Sequence, residues 1–224
     1  MKTPRSVAFV SLALLCSCLS SNSQAADSAY KPELFKRLEL VYEDNFDSST
    51  IHPDFWEVRQ NTTWAIQDSI LTGTPSSKEF QEKKVASGDK AHAGLKPVIW
   101  LKKVPENFVF AIRLRYDAKA YQKGFPLLDL GHHIHTITFS EKETTLTIKK
   151  DLEKLAVAKP LFALNQWHDV IIELKKGAIL LQIDGVKHVF ESKNIDMAGQ
   201  AQIDFKAIDG GTCQIDRVRL WKGE

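Results

Sequence analysis

From residue 38 onward, apolar and polar side chains alternate along most of the chain. This period of two predicts β-strands rather than helices. Phe108 to Tyr116 is the cleanest case: Phe108, Phe110, Ile112 and Leu114 share one face, and Val109, Ala111, Arg113 and Arg115 share the other. Toward the C-terminus the pattern gives strands at Trp167 to Leu174, Ala178 to Asp184, Val186 to Phe190, Ala201 to Lys206 and Cys213 to Trp221. Asp184-Gly185 between two such runs is a tight hairpin signal. Earlier strands are expected at Leu38 to Tyr42, at Phe55 to Val58 and on both sides of Asp68-Ser69. The segment from Phe125 to Phe139 should hold one or two strands with a bulge or bend at Gly131, followed by Thr144 to Lys149 across a Glu141-Lys142-Glu143 turn. Residues 72–94 read as a long polar surface loop, and Lys150 to Lys159 as a short helix or a loop. Many short strands at regular spacing, with no repeat, predict an all-β sandwich.

The N-terminus has a different character. Lys2 and Arg5 precede an apolar run from Val7 to Leu15, too short to span a bilayer, and Ser23-Gln24-Ala25 fits a small-residue cleavage site. Residues 1–25 are therefore expected to be a secretory signal, residues 26–36 a short linker, and residues 37–224 one sandwich domain with no transmembrane segment. Leu15-Cys16-Ser17-Cys18 offers an alternative, lipid attachment at Cys18 that would anchor the same domain to a membrane surface. A secreted or periplasmic location is expected either way. Without Lys2 and Arg5 the 30 basic residues fall to 28 and match the 28 acidic ones, so the mature net charge is zero. That balance excludes the basic excess a nucleic-acid partner requires. Cleavage after Ala25 leaves Cys213 alone, so no internal disulfide forms and a small buried thiol is expected.

Four segments resemble the concanavalin A-like lectin/glucanase superfamily, and within it the bacterial secreted domains called 3-keto-disaccharide hydrolases or family-16-like glycoside hydrolases. They are Tyr42-Glu43-Asp44-Asn45-Phe46-Asp47 leading to Phe55-Trp56; Trp64-Ala65-Ile66-Gln67-Asp68-Ser69-Ile70-Leu71-Thr72-Gly73; Gln166-Trp167-His168-Asp169-Val170 through Ile183-Asp184-Gly185-Val186; and Ile215-Asp216-Arg217-Val218. The resemblance implies a concanavalin A-like jelly-roll sandwich of two antiparallel sheets and a carbohydrate partner, engaged by a single copy of the chain. It also exposes a departure. Catalytic family-16 enzymes carry Glu-x-Asp-x-(x-)Glu on one strand, which sets alternate carboxylates on one face as nucleophile and acid. This chain has only Glu141-Lys142-Glu143, in an expected turn.

The densest local chemistry is Asp129-Leu130-Gly131-His132-His133-Ile134-His135, with three of the seven histidines inside four residues. On a strand, His133 and His135 would share a face with Asp129, and His132 would point away. Asp129, His132, His133 and His135 are the candidate catalytic residues. His92 at the end of the long loop, Trp100, Arg113 and Arg115 are the candidate substrate-binding residues: a ring to stack on sugar, guanidinium forks for hydroxyls, and an imidazole at a sheet rim. No catalytic metal or cofactor is expected. A structural calcium at Asp44, Asp47 and Asp216 is a weaker alternative. Three functions stay open: a hydrolase acting on glycosides or 3-keto-glycosides, a binding-only carbohydrate module, and a structural domain of the cell envelope.

Overall fold

The computed structural model describes residues 30–149, 152–197, 199 and 201–224. The expected leader and Cys18 lie outside them. In chain order the strands are Leu38–Asp44 (β1), Trp56–Val58 (β2), Thr63–Gln67 (β3), Ile70–Thr74 (β4), Val98–Lys102 (β5), Phe108–Asp117 (β6), Leu127–Leu130 (β7) and His135–Phe139 (β8). Thr144–Ile148 (β9), Glu153–Val157 (β10), His168–Lys175 (β11), Ala178–Ile183 (β12), Val186–Glu191 (β13), Gln202–Lys206 (β14) and Thr212–Gly223 (β15) complete them. They form two antiparallel sheets. One runs β13-β12-β11-β6-β15-β4-β3, with β1 also on β15, and the other runs β10-β9-β8-β7-β14-β5-β2. This is the two-sheet sandwich that the alternation predicts, in the jelly-roll arrangement that the resemblance implies.

The core lies between the sheets. Phe108, Phe110 and Leu114 of β6 are fully buried, and face Leu128, Leu130, Ile203 and Phe205 of the other sheet within one cluster. Each such side chain contributes roughly 1.5–3 kcal/mol by leaving water. The closing strand β15 keeps its core face only by means of a bulge. Its register with β6 shifts between Ile215 and Arg217. Before the shift Cys213 and Ile215 point inward; after it Val218 and Leu220 do. Without that extra residue every later side chain would change faces. Cys213 is fully buried and its thiol pKa is raised by burial, so it is an unreactive core group, as read from the sequence.

The two hairpin signals hold. Asp68-Ser69 and Asp184-Gly185 all take positive φ, the paired left-handed geometry of a two-residue hairpin. Three other expectations change. Residues 72–94 are not a bare loop: β4 extends to Thr74, a helix covers Lys78–Ala86 (α1), and a 3-10 turn covers Lys90–His92. Ser77 caps α1 by accepting from Phe80 N at 3.3 Å. The base of this excursion is closed by Ser76, whose N donates to Gly94 O at 2.9 Å and whose Oγ donates to Ala93 O at 2.8 Å. Residues 153–157 form the edge strand β10 rather than a helix, because each pairs in register with β9. Finally, the later part of the expected linker is docked. Glu33 N and Leu34 N donate to the buried Glu173 carboxylate at 2.9 and 2.7 Å, and Phe35 is itself buried.

Candidate functional site

The outer face of the second sheet carries a polar row fixed by strand register. Asp204 of β14 lies opposite Asp129 of β7 on one side and Trp100 of β5 on the other. Asp129 lies opposite Thr136 of β8. The alternation that sends Ile203 and Phe205 into the core sends Gln202, Asp204 and Lys206 outward. Asp129 and Asp204 are nonetheless 1% and 0% exposed. Two carboxylates can be buried there only because each is well partnered.

Lys206 is the central partner. Its Nζ lies 2.5 Å from Asp129 Oδ2 and 3.5 Å from Asp204 Oδ2. Thr136 Oγ1 donates a short bond to Asp129 Oδ1, and Gln202 Nε2 donates to Asp204 Oδ1 at 2.6 Å. Two imidazoles complete the set. His132 Nδ1 is 2.9 Å from Asp204 Oδ2, and His133 Nδ1 is 3.7 Å from Asp129 Oδ2. Their rings are 4.0 Å apart, and the His132 ring is 5.2 Å from that of Trp100. Both imidazoles are about half-exposed, so they present their outer edges while the carboxylates stay sealed beneath. The His133 pKa is lowered, first by burial and then by the Lys206 charge, against the opposing pull of Asp129.

These side chains border a cavity of about 290 Å³ whose walls include Arg59, His92, Lys96, Trp100, His132 and Lys206. Arg59 lies 3.9 Å over the Trp100 ring and pairs with Glu57. His92 reaches the wall from the 3-10 turn, where Asp89 holds its Nδ1 at 2.6 Å. Lys96 pairs with Asp209 at 2.7 Å and lies over the Phe125 ring.

Five of the eight expected site residues meet here: Asp129, His132, His133, His92 and Trp100. Their arrangement differs from the expectation. Gly131 has φ 70° and residues 131–134 form a turn, so the histidines do not lie along one strand. His132 therefore points to the carboxylate pair rather than away, and His133 and His135 do not share a face. His135 opens β8 on the core side, is fully buried, and holds Asp196 through Nε2, at 2.7 Å to its O and 3.1 Å to its N. Its pKa is lowered chiefly by burial. Trp100 offers no free stacking face toward Arg59, which covers it. Arg113 and Arg115 point outward as read, but from the other sheet: Arg113 pairs with Asp216 at 3.1 Å above Trp167, and Arg115 with Asp117 at 2.6 Å.

Asp129, His132 and Asp204 place one potential ligand atom each within 4.8 Å of one another, a spacing that suits a cation. The Lys206 ammonium already occupies that role between the carboxylates. The residues considered for calcium hold different partners: Asp44 takes Tyr42 Oη and Phe46 N, Asp47 takes Ser69, and Asp216 takes Arg113. Asp204, Lys206, Gln202 and Arg59 were absent from the sequence-based site. For the three on β14 the only local signal was a polar parity on a short strand, which a solvated sheet face shows equally well, and Arg59, just past the end of β2, has not even that.

No known family profile and no curated protein matches the chain. Solved structures do share its fold. The endo-β-galactosidase from Clostridium perfringens that releases GlcNAcα1-4Gal superposes with a TM-score of 0.56 at 11% identity, over 86% of this chain and 65% of that one. The catalytic domain of an endo-1,3-β-glucanase (laminarinase) from Thermotoga petrophila gives 0.54 at 11% identity, over 84% and 99%. The carbohydrate recognition domain of Emp47p gives 0.52 at 8% identity, over 83% and 97%. The chain has the concanavalin A-like jelly-roll fold common to these hydrolases and this carbohydrate recognition domain.

Proposed function

We propose that this domain cleaves glycosidic bonds by histidine acid–base chemistry, and that its substrates are 3-keto-glycosides. The observation that carries the reading is the pair of cavity-facing imidazoles, each backed by an aspartate sealed beneath the surface. A retaining glycosidase needs a carboxylate free to attack the anomeric carbon and a second to donate a proton. Asp129 and Asp204 are too deep for attack, and Glu141 and Glu143 lie at a turn where Ser140 Oγ accepts from Glu143 N. A ketone at C3 removes that requirement, because it acidifies the hydrogen on C2. His133, biased toward its neutral form, takes that proton. The C1–O bond breaks as the C1–C2 double bond forms, and the departing oxygen receives a proton from His132. Water then adds across the double bond to complete hydrolysis. Lys206 and Arg59 supply positive charge for the enolate oxygen.

The shared fold with an endo-β-galactosidase and a laminarinase supports a glycan substrate. A leader at residues 1–25, with or without a lipid at Cys18, would place the domain where such glycans are met. The test is a panel of ordinary glycosides and their 3-keto counterparts offered to the purified domain. Release of free sugar from the keto series, lost in His133→Ala and reduced in Asp129→Asn, supports the reading. Equal turnover by His133→Ala would overturn it. Binding without turnover across the panel would make the domain a carbohydrate-binding module.

A further inference from the structure

The proposed chemistry uses one end of the cavity and leaves the other end without a role. Trp100 and Val98 of β5, and Lys96 just before it, share one parity, and all three line the cavity. Trp100 lies opposite Asp204 and Val98 opposite Lys206, so Lys96 stands one step further on, past the carboxylate row. At about 3.3 Å per residue, the four residues from Trp100 to Lys96 cover roughly 13 Å of backbone. Lys96 is held in place from two sides. Asp209 takes its Nζ at 2.7 Å, and the ammonium lies 4.2 Å from the centroid of the Phe125 ring, another residue of the wall. The Lys96 side chain is only 17% exposed. An ammonium has three protons to donate, and Asp209 is its one ion-pair partner among the described residues.

The rest of the wall is of the same kind. Its charged and titratable members are Arg59, His92, Lys96, His132, His133 and Lys206, and among the described residues no carboxylate lines it. Glu57, Asp89 and Asp209, which pair with Arg59, His92 and Lys96, lie outside the wall, and Asp129 and Asp204 are sealed beneath the imidazoles at the other end. Arg59, whose N donates to Val98 O, stands beside β5 between Trp100 and Lys96, with Nη1 alone engaged by Glu57. A concave wall that presents cations and no carboxylate concentrates anions. We propose that the Lys96 end of the cavity is a subsite for an oxyanion, so that the ligand of this domain is acidic and carries a carboxylate, phosphate or sulfate group. Lys96 donates to that group, and Arg59 adds a second positive charge from the side. The Lys96–Asp209 pair does not stand in the way: Asp209 is 39% exposed, and a pair so open to water is weak enough for a second anion to share the ammonium. This deepens the reading of the same cavity, but the subsite is tested without relying on turnover.

The test is a titration followed by NMR of assigned backbone amide signals. The probes are inorganic phosphate, acetate, glucuronate and, as a neutral control, glucose. The anions are expected to move the signals of Lys96, Ala91 and Gln60 with one common dissociation constant per anion, and glucuronate to bind at least about tenfold more tightly than glucose, as a hydrogen bond to a charged group implies. Lys96→Gln should weaken glucuronate binding about tenfold and leave glucose unchanged. Asp209→Asn keeps the lysine and removes its competitor, so it should tighten glucuronate binding about twofold to fivefold; a gain of affinity is not an effect of misfolding. Phosphate that moves signals near surface lysines everywhere and these no more than the rest is an adventitious ion only, and overturns the inference. Glucose bound as tightly as glucuronate, or Lys96→Gln and Asp209→Asn that both bind glucuronate like wild type, overturn it as well. Release of sugar from neutral 3-keto-glycosides would leave the catalytic reading standing in each of those cases.

Discussion

Replacing Lys206 by methionine removes the ammonium that bridges the two buried aspartates and keeps most of the side chain's volume. Lys206 Nζ is 2.5 Å from Asp129 Oδ2 and 3.5 Å from Asp204 Oδ2, and oxygens of the two carboxylates lie within 4.8 Å of each other. At an effective dielectric of ~20, two like charges at that separation repel by about 3.5 kcal/mol. This agrees with the roughly 3–5 kcal/mol lost when one partner of a buried ion pair is removed. It is a large share of the ~5–15 kcal/mol that holds a typical domain together. The repulsion has one escape, uptake of a proton by one carboxylate. Urea denaturation of Lys206→Met should therefore show a loss of about 3 kcal/mol at pH 8 that shrinks as the pH falls. An NMR titration of the His133 ring should show its pKa moving up, because the Lys206 charge that lowers it is gone. A loss below about 1 kcal/mol at every pH, with the His133 titration unmoved, would refute the idea that lysine holds this pair together.

Three further outcomes follow from the same structure. Gly94→Ala should destabilise the domain by about 2 kcal/mol or more and make residues 77–93 sensitive to protease, since a Cβ there would lie 2.4 Å from Gln60 O at φ +65°; an unchanged melting temperature would show that the excursion is not pinned there. Glu173→Gln should cost about 1.5–3 kcal/mol through its bonds to Glu33 N and Leu34 N, and limited proteolysis should then cut within residues 30–37 sooner than in wild type. Both His133 and His135 have lowered pKa values, so just below pH ~6.5 the unfolded chain binds more protons than the folded one. Their contribution is thus complete above that pH and is lost as the pH falls toward the folded-state pKa values; urea midpoints at pH 7.5 and pH 5.5 measure it, and a midpoint that rises on acidification would contradict the sign.

The sandwich was legible because its information is local. Parity along β6 and β14 marks the core faces, and Asp68-Ser69 and Asp184-Gly185 mark hairpins by conformations that few residues accept. The site was only partly legible, for two physical reasons. Parity tells which side of a strand faces out but not which sheet the strand joins, so Arg113 and Arg115 were correctly placed outward yet belong to the sheet away from the cavity. The pairing of β7 with β14, which sets Asp129 beside Asp204, joins segments about 75 residues apart in sequence, and no local pattern announces it. The histidine cluster failed as a strand motif at one residue. Gly131 turns the chain at φ 70°, which sends His132 and His133 to the carboxylates and leaves His135 to start the next strand facing inward. Helix α1 escaped notice because it buries no side chain and so carries no apolar stripe.

The central claim is that His133 removes a proton from the carbon beside a sugar ketone. It is tested most directly with a 3-keto sugar that lacks an anomeric leaving group, such as 3-keto-1,5-anhydroglucitol, held in D₂O with the domain and followed by proton NMR. Loss of the C2 proton signal faster than in buffer alone, and return to the buffer rate in His133→Ala, is the predicted result. Exchange at the buffer rate with wild-type protein, or exchange that survives in His133→Ala, would contradict the account.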